Sequence, residues 1–390
     1  MRVTLADPLA LIPGFEQTHR EQETRYPAAA VEWQPVHTVY VPADRFDAGT
    51  VTAWGGAALD LFERHLPAND LAELFETDER IVGAVHERVA AKLAREPIED
   101  LRVDFEDGYG LRPEEEDGHV AGAAEAVADL HANGMLPRRW GPRVKSFADG
   151  DPVRSVRTLD GLLTGVIERV GSLPDGFVVT FPKVLMRAYL GQFADCLEAL
   201  EKGLGLGAGT LRFEIQVEAT QTVSFLDADL VPFLDGRLAA AHFGVFDYTA
   251  SCSLPPHEQR LDHPACDHAR HVMQTAFAGT GVELSDGSLA AFPASDDGQV
   301  VRDLWRRHAG MVGHSLSHGF YQGWDMHPSH LVSRYAAVYA FHLSRYEEYS
   351  HRVRAWQEQR EAGGGVMDEP ATVKTMAAAL RRADLALGNT

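Results

Sequence analysis

Eight short apolar or β-branched runs, separated by longer segments with helical spacing, restrict this 390-residue chain to parallel α/β architectures. The runs are VHTVYVP (36–42), LRVDFE (101–106), GPRVKSF (141–147), GFVVTFPK (176–183), LRFEIQVE (211–218), LAAAHFGVFD (238–247), LAAFPAS (289–295) and HGFYQGWDMHP (318–328). Between them, ALDLFERHL, EAVADLHANG and FADCLEALEKG carry the spacing of amphipathic helices, two of them closing on glycine. Eight βα repeats predict a (β/α)₈ TIM barrel, class α/β, with helical additions at the N- and C-terminal ends. The expected divisions are an extension over 1–35, the barrel over 36–330 and a helical segment over 331–390. The stretch 43–100 is too long for one crossover and predicts more than one helix, including ETDERIVGAVHERVAAKLARE. After Leu331 the pattern predicts a long helix, a flexible EAGGG and a last Ala-rich helix, packed outside the barrel or against another subunit.

In a parallel barrel the residues that end each strand face the active-site mouth. Those positions hold Asp104, Glu106 and Asp107 after the second run and Arg143 and Lys145 on the third. Lys183 ends the fourth, Glu218 the fifth, Asp247 the sixth, and Asp325 and His327 the eighth. A buried carboxylate costs several kcal/mol when unpaired, so Glu218 and Asp247, on neighbouring strands, call for a compensating cation. Two carboxylates leave most positions of a Mg²⁺ ion to water and substrate oxygens, which is the composition of an open catalytic site.

The same positions carry an ordered set of short motifs: VYVPADR, VDFEDGY, PRVKS, FPKV, VEAT, FGVFDY and DMHP. In that order and spacing the chain resembles the HpcH/HpaI aldolase and citrate lyase β-subunit-like family, the malyl-CoA lyase group of the pyruvate-binding barrel enzymes, over most of 36–330. The resemblance implies Glu218 and Asp247 as ligands of Mg²⁺ or Mn²⁺, and Arg143 as the group beside the bound acid that stabilises an enolate oxygen. It implies Glu106 and Asp107 as the acidic pair that orients Arg143 and metal-bound water, making Arg143, Glu106 and Asp107 the expected catalytic group. Lys183 and Phe246 join Arg143 as residues expected to contact substrate. The implied reaction is aldol or Claisen cleavage or condensation of a small 2-hydroxy acid or its coenzyme A thioester, with a 2-oxo acid such as glyoxylate, pyruvate or oxaloacetate as partner. A malate synthase-like condensation and a non-catalytic 2-oxo acid-binding barrel are the alternatives. Lys145 stands where the family has asparagine, so the pocket walls are expected to differ. Arg45, Arg138 and Arg139 are the basic residues available to thioester phosphates. The family also implies a homo-oligomer.

Other motifs point to less. A Schiff base on Lys183 is disfavoured by the resemblance. His263, Cys266, His268 and His271 crowd one segment without zinc-motif spacing, and His314 and His318 read as a helix end. GLGLGAG precedes a strand instead of following one, so it reads as a loop. GHSLS lacks the nucleophile-elbow pattern of serine hydrolases. With 36 basic against 57 acidic residues, a net charge of −21 opposes nucleic-acid binding. Three scattered cysteines, and no run near the ~18–20 apolar residues of a membrane span, predict a cytoplasmic protein without a membrane partner.

Overall fold

The computed structural model describes residues 9–27, 31–358 and 369–389. Its strands are β1 His37–Pro42, β2 Asp100–Asp104, β3 Arg139–Arg143, β4 Val179–Phe181, β5 Phe213–Val217, β6 Leu238–Phe243, β7 Glu283–Ser285 and β8 Gly323–Asp325. All neighbours pair in parallel, in the order β7-β6-β5-β4-β3-β2-β1-β8. The ring closes at the β7/β8 seam through one parallel bridge, Ser285 to Gln322. There the Asp286 N–H donates to the Gln322 carbonyl (2.8 Å) and the Trp324 N–H to that of Gly287 (3.1 Å).

Strand alternation sorts side chains into two shells. In β2, Leu101 and Val103 join the apolar layer between strands and helices, while Asp100, Arg102 and Asp104 make their contacts inside the barrel. The interior is accordingly ionic. Arg102 donates through Nε and Nη2 to Glu214 on β5 (3.0 and 2.8 Å), and its Nη1 lies 2.8 Å from Asp100. Thr180 on β4 donates to Glu214 (2.5 Å), and His242 on β6 stands 3.1 Å from it. Thr38 donates to Asp100 (2.9 Å) and accepts from Gln322 (2.8 Å). Burial alone would push the Glu214 carboxyl up, yet Arg102 and His242 hold it well below the usual carboxylate range.

The seventh strand corrects the sequence expectation. It lies at Glu283–Ser285, and 289–295 form a loop whose Ala291 carbonyl meets His330 Nε2 at 2.7 Å. β7 has no apolar run because Glu283 pairs with Arg139. In the expected stretch, Pro293 lacks the N–H a strand must donate. Three helices, Thr50–His65, Ala68–Leu74 and Val82–Arg95, fill the long first crossover.

After β8 one helix runs continuously from Pro328 to Gln357, so residue 330 lies within it. His327 Nδ1 caps its first turn by accepting from Ser329 N–H (3.1 Å), with Pro328 at the first helical position. Leu331, Val332, Tyr335, Ala336 and Tyr339 are buried against the barrel. The last helix, Pro370–Leu387, buries Val373, Met376 and Ala383; the EAGGG stretch lies outside the described residues. Ahead of β1, the helix Phe15–Arg25 has no buried residues. No helix among the described residues is long and apolar enough to cross a membrane.

Candidate active site at the barrel mouth

Parallel register places Asp104 beside Arg143 at the C-terminal ends of β2 and β3. Their side chains form a two-bond fork: Arg143 Nε donates to Asp104 Oδ1 and Nη2 to Oδ2, both at 2.7 Å. Asp104 also accepts from the backbone N–H groups of Glu106 and Gly108 (both 2.9 Å), which fixes the loop after β2. The third guanidinium nitrogen, Nη1, lies 3.3 Å from Glu106, and the Tyr40 ring centroid is 4.9 Å from the Arg143 carbon Cζ. A planar cation is thus held at the mouth with little freedom.

Lys183, two residues past β4, has φ 47°, a left-handed conformation that costs a non-glycine residue roughly 1–2 kcal/mol. That turn aims its N–H at Glu218 Oε1 (2.7 Å), while Nζ donates to Glu106 and to Asp107 (2.6 Å). Burial works against the Lys183 ammonium, but Glu106 and Asp107 outweigh it and raise its pKa. Asp107 is held low on balance: burial raises it, and the Lys183 hydrogen bond and charge more than offset that. Glu106 is raised, chiefly by burial, against the pull of Arg143 and Lys183.

Glu218 follows β5, and Asp247 lies in the first turn of the helix Val245–Ser251 after β6. Gly244 permits the approach of these two segments. A Cβ there would stand 2.5 Å from the Glu218 Cβ and 2.7 Å from its Oε2. Among the described residues, the mouth cations form ion pairs with Asp104, Glu106 and Asp107, and none pairs with Glu218 or Asp247. Burial, then the Glu106 charge, pushes the Glu218 carboxyl up to about 8; Asp247 adds to this, and Arg143 and the Lys183 N–H partly offset it. Asp247, at the exposed rim, is also raised, chiefly by desolvation and further by Asp107. Two oxygen-donor side chains without a cationic partner suit a hard divalent cation.

The structure therefore joins Arg143, Glu106, Asp107, Lys183 and Glu218 in one contact network with Asp247 beside it. Phe246 is half-buried and packs against the apolar layer next to Asp247. Three placements differ from the sequence expectation. Asp104 holds the Arg143 fork, Glu106 is the minor partner, and Asp107 turns to Lys183 instead. Lys145 leaves the pocket to donate to the Phe105 carbonyl (2.8 Å) and Glu116 (2.7 Å). Asp325 points outward to His37 (3.0 Å) and Arg334 (2.8 Å), beneath the helix layer. Among the proposed phosphate partners, Arg138 and Arg139 lie at the start of β3, the opposite end of the barrel, and pair with Glu96 and Glu283. Arg45, in the turn after β1, is exposed at the mouth. The sequence motifs do not mark Gly244 or Tyr40; Tyr40 shares the inward face of β1 with Thr38, two residues before it.

Eight parallel strands with a clamped arginine at their C-terminal ends, and beside it two carboxylates that form no ion pair among the described residues, define a (β/α)₈ barrel with an acidic site at its mouth. The chain belongs to the family described as a domain of unknown function, DUF6986, whose model matches residues 15–387. It is 25% identical over 270 residues to the L-malyl-CoA/β-methylmalyl-CoA lyase of Haloarcula marismortui, covering 68% of this chain and 73% of that protein. A citrate lyase structure from Burkholderia xenovorans LB400 superposes with a TM-score of 0.60 at 17% identity, covering 91% of this chain and 92% of the other. The magnesium/glyoxylate complex of Haloferax volcanii malate synthase gives 0.53 at 14% identity, covering 89% and 97%. These two structures share the barrel fold with this chain.

Proposed function

We propose that this protein is a divalent-metal-dependent carbon–carbon lyase that cleaves, or in reverse forms, the coenzyme A thioester of a small 2-hydroxy acid. The observation that carries this reading is the pair Glu218 and Asp247, raised in pKa and lacking a cationic partner, beside the fixed Arg143. The identity to a malyl-CoA lyase supports the substrate class. Glu218 and Asp247 would hold Mg²⁺ or Mn²⁺, which when bound would draw electron density from the carboxylate and adjacent oxygen of the small acid.

The chain's own residues supply the rest. In cleavage the hydroxyl proton leaves, the bond to the thioester's α-carbon breaks, and its electron pair passes to the thioester oxygen before the α-carbon is protonated. Arg143, already oriented by Asp104, presents fixed positive charge to that oxygen as charge develops. Glu106 and Asp107 position Lys183, whose N–H in turn holds Glu218 in place. The Lys183 ammonium, stabilised by two carboxylates, is poorly suited to Schiff-base formation, which needs the free amine. Phe246, next to Asp247, would lend the small acid an apolar wall, and the exposed Arg45 would be available to a thioester phosphate.

The test is a panel of CoA thioesters that carry the hydroxyl β to the thioester and α to a free carboxylate, including L-malyl-CoA, read by glyoxylate or pyruvate release. Turnover should require Mg²⁺ or Mn²⁺ and stop with EDTA. Undiminished turnover in EDTA would remove the metal from the reaction, and release of free coenzyme A from glyoxylate with acetyl-CoA would identify condensation with hydrolysis instead. Binding of glyoxylate without turnover of any thioester would leave a 2-oxo acid-binding barrel.

Two further outcomes follow from the geometry. Because burial and the Glu106 charge push the Glu218 carboxyl up to about 8, metal binding is expected to displace its proton. Mg²⁺ affinity should rise roughly tenfold per pH unit from pH 6 towards 8 and level off above. At pH 7, calorimetry in buffers of different ionisation enthalpy should show close to one proton released per metal. Separately, Gly244→Ala should weaken Mg²⁺ affinity by about tenfold or more, because the new methyl group displaces the Glu218 side chain. Circular dichroism should confirm a retained fold, and unchanged affinity would show that the Glu218 position is not critical.

A further inference from the structure

Away from the mouth, the helices Pro264–Phe277 and Gly298–Ser317 flank β7 in sequence. The first carries Asp267 and His271, the second carries His314 with His318 at its C-cap. Each pair is spaced i, i+4, so both members occupy one helix face. Packing brings the two faces together. His314 Nε2 lies 2.8 Å and His318 Nε2 3.6 Å from the same Asp267 oxygen, Oδ1. The His314 and His318 ring centroids are 4.4 Å apart, and His271 stands 5.8 Å from His318.

These separations suit a particular coordination shape. A tetrahedral ion with ligand bonds of ~2.0–2.1 Å has edges of roughly 3.3 Å, between the two nitrogen–oxygen distances seen. The orientation of His318 is also fixed as a ligand's would be. Its Nδ1 lies 3.0 Å from the His314 carbonyl oxygen, a contact that turns Nε2 towards Asp267. Asp267 is steadied by Arg270 Nη1 at 2.6 Å, and Arg270 is itself neutralised by Asp286 at 2.9 Å. His314, His318 and Asp267 are 27%, 25% and 25% exposed, which leaves an ion a path from solvent. The group His308, Asp325 and His330 differs, because all three are buried and leave an ion no path from solvent.

We propose that Asp267, His314 and His318 form a zinc site, its fourth position left to solvent, that clamps the two helices on either side of β7. Imidazole nitrogens select a borderline ion such as Zn²⁺ over Mg²⁺, separating this site from the all-carboxylate mouth. The other candidates of the 262–271 segment take no part. His263 caps its helix by accepting from the Ala265 N–H (3.1 Å), Cys266 is buried, and His268 is exposed. Binding ties down the neighbourhood of the single-bridge seam between β7 and β8.

Metal-stripped protein titrated with Co²⁺ tests this, read by the visible bands of tetrahedral cobalt and their loss on adding Zn²⁺. One equivalent should bind in the wild type, in Glu218→Gln and in His268→Ala, and none at this site in His314→Ala/His318→Ala. Zn²⁺ should raise the Tm of the wild type and leave that of the double variant unchanged. His314→Gln, a single change at a partly exposed position, keeps the test readable should the double variant misfold, and should weaken Zn²⁺ binding at least tenfold. Binding undiminished in His314→Gln, or no saturable Zn²⁺ binding below about 0.1 mM in the wild type, would overturn the proposal.

Discussion

Arg143→Lys is expected to lower kcat for thioester cleavage by about two to three orders of magnitude while leaving Mg²⁺ affinity within a few-fold of wild type. The substitution keeps the charge that Asp104 requires, so the buried carboxylate is not stranded. It removes the planar fork. Asp104 engages Nε and Nη2 while Nη1 remains near Glu106, and this division of donors is what aims the guanidinium. A lysine ammonium at the same position would be drawn onto Asp104 as a point charge and present nothing of fixed direction to the developing enolate. Steady-state kinetics on the thioester that is turned over, with Mg²⁺ varied, separates the two quantities. A kcat within fivefold of wild type would show that Arg143 serves only to hold the β2 and β3 ends together.

The second large effect concerns stability. Arg102→Met should destabilise the fold by about 3–5 kcal/mol, because it leaves Glu214 and Asp100 facing each other inside the barrel without their arginine, with only His242 beside Glu214. Burial has already removed the water that would solvate them. Replacing Glu214 by leucine in the same chain should recover part of the loss, since an ion pair exchanged for apolar volume is often neutral. The linkage sign follows from the depressed Glu214 pKa. Its contribution is present above the unfolded carboxyl value and is lost only as pH falls through the lower folded one, so in wild type it persists into strong acid. Urea midpoints at neutral pH check the energies, and a change below about 1 kcal/mol in Arg102→Met would mean that water reaches the barrel interior.

Much of the site could be read in the chain because strand ends announce themselves. Glu218 and Lys183 each close an apolar run, Asp247 follows one, and all three reach the mouth. What the sequence hides depends on register and parity. Asp104 takes the Arg143 fork because β2 and β3 pair residue for residue, a fact no run of letters contains. Asp325 was expected at the mouth and faces outward because its neighbour Trp324 takes the inner position, 4.7 Å from the Tyr40 ring. One residue of alternation decides between those outcomes. β7 carries no apolar signature because its Glu283 pairs with Arg139, far away in sequence. The contact of Asp267 with His314 spans 47 positions and comes from helix packing alone.

The most direct measurement is a Mn²⁺ titration followed by electron paramagnetic resonance, with and without glyoxylate, in the wild type and in Glu218→Gln. The expected result is one class of site that glyoxylate tightens and perturbs spectroscopically in the wild type, and the loss of that class in the variant. Equal Mn²⁺ affinity in both proteins, or a wild-type site indifferent to glyoxylate, would contradict the assignment of Glu218 and Asp247 as holders of the metal that meets the 2-oxo acid.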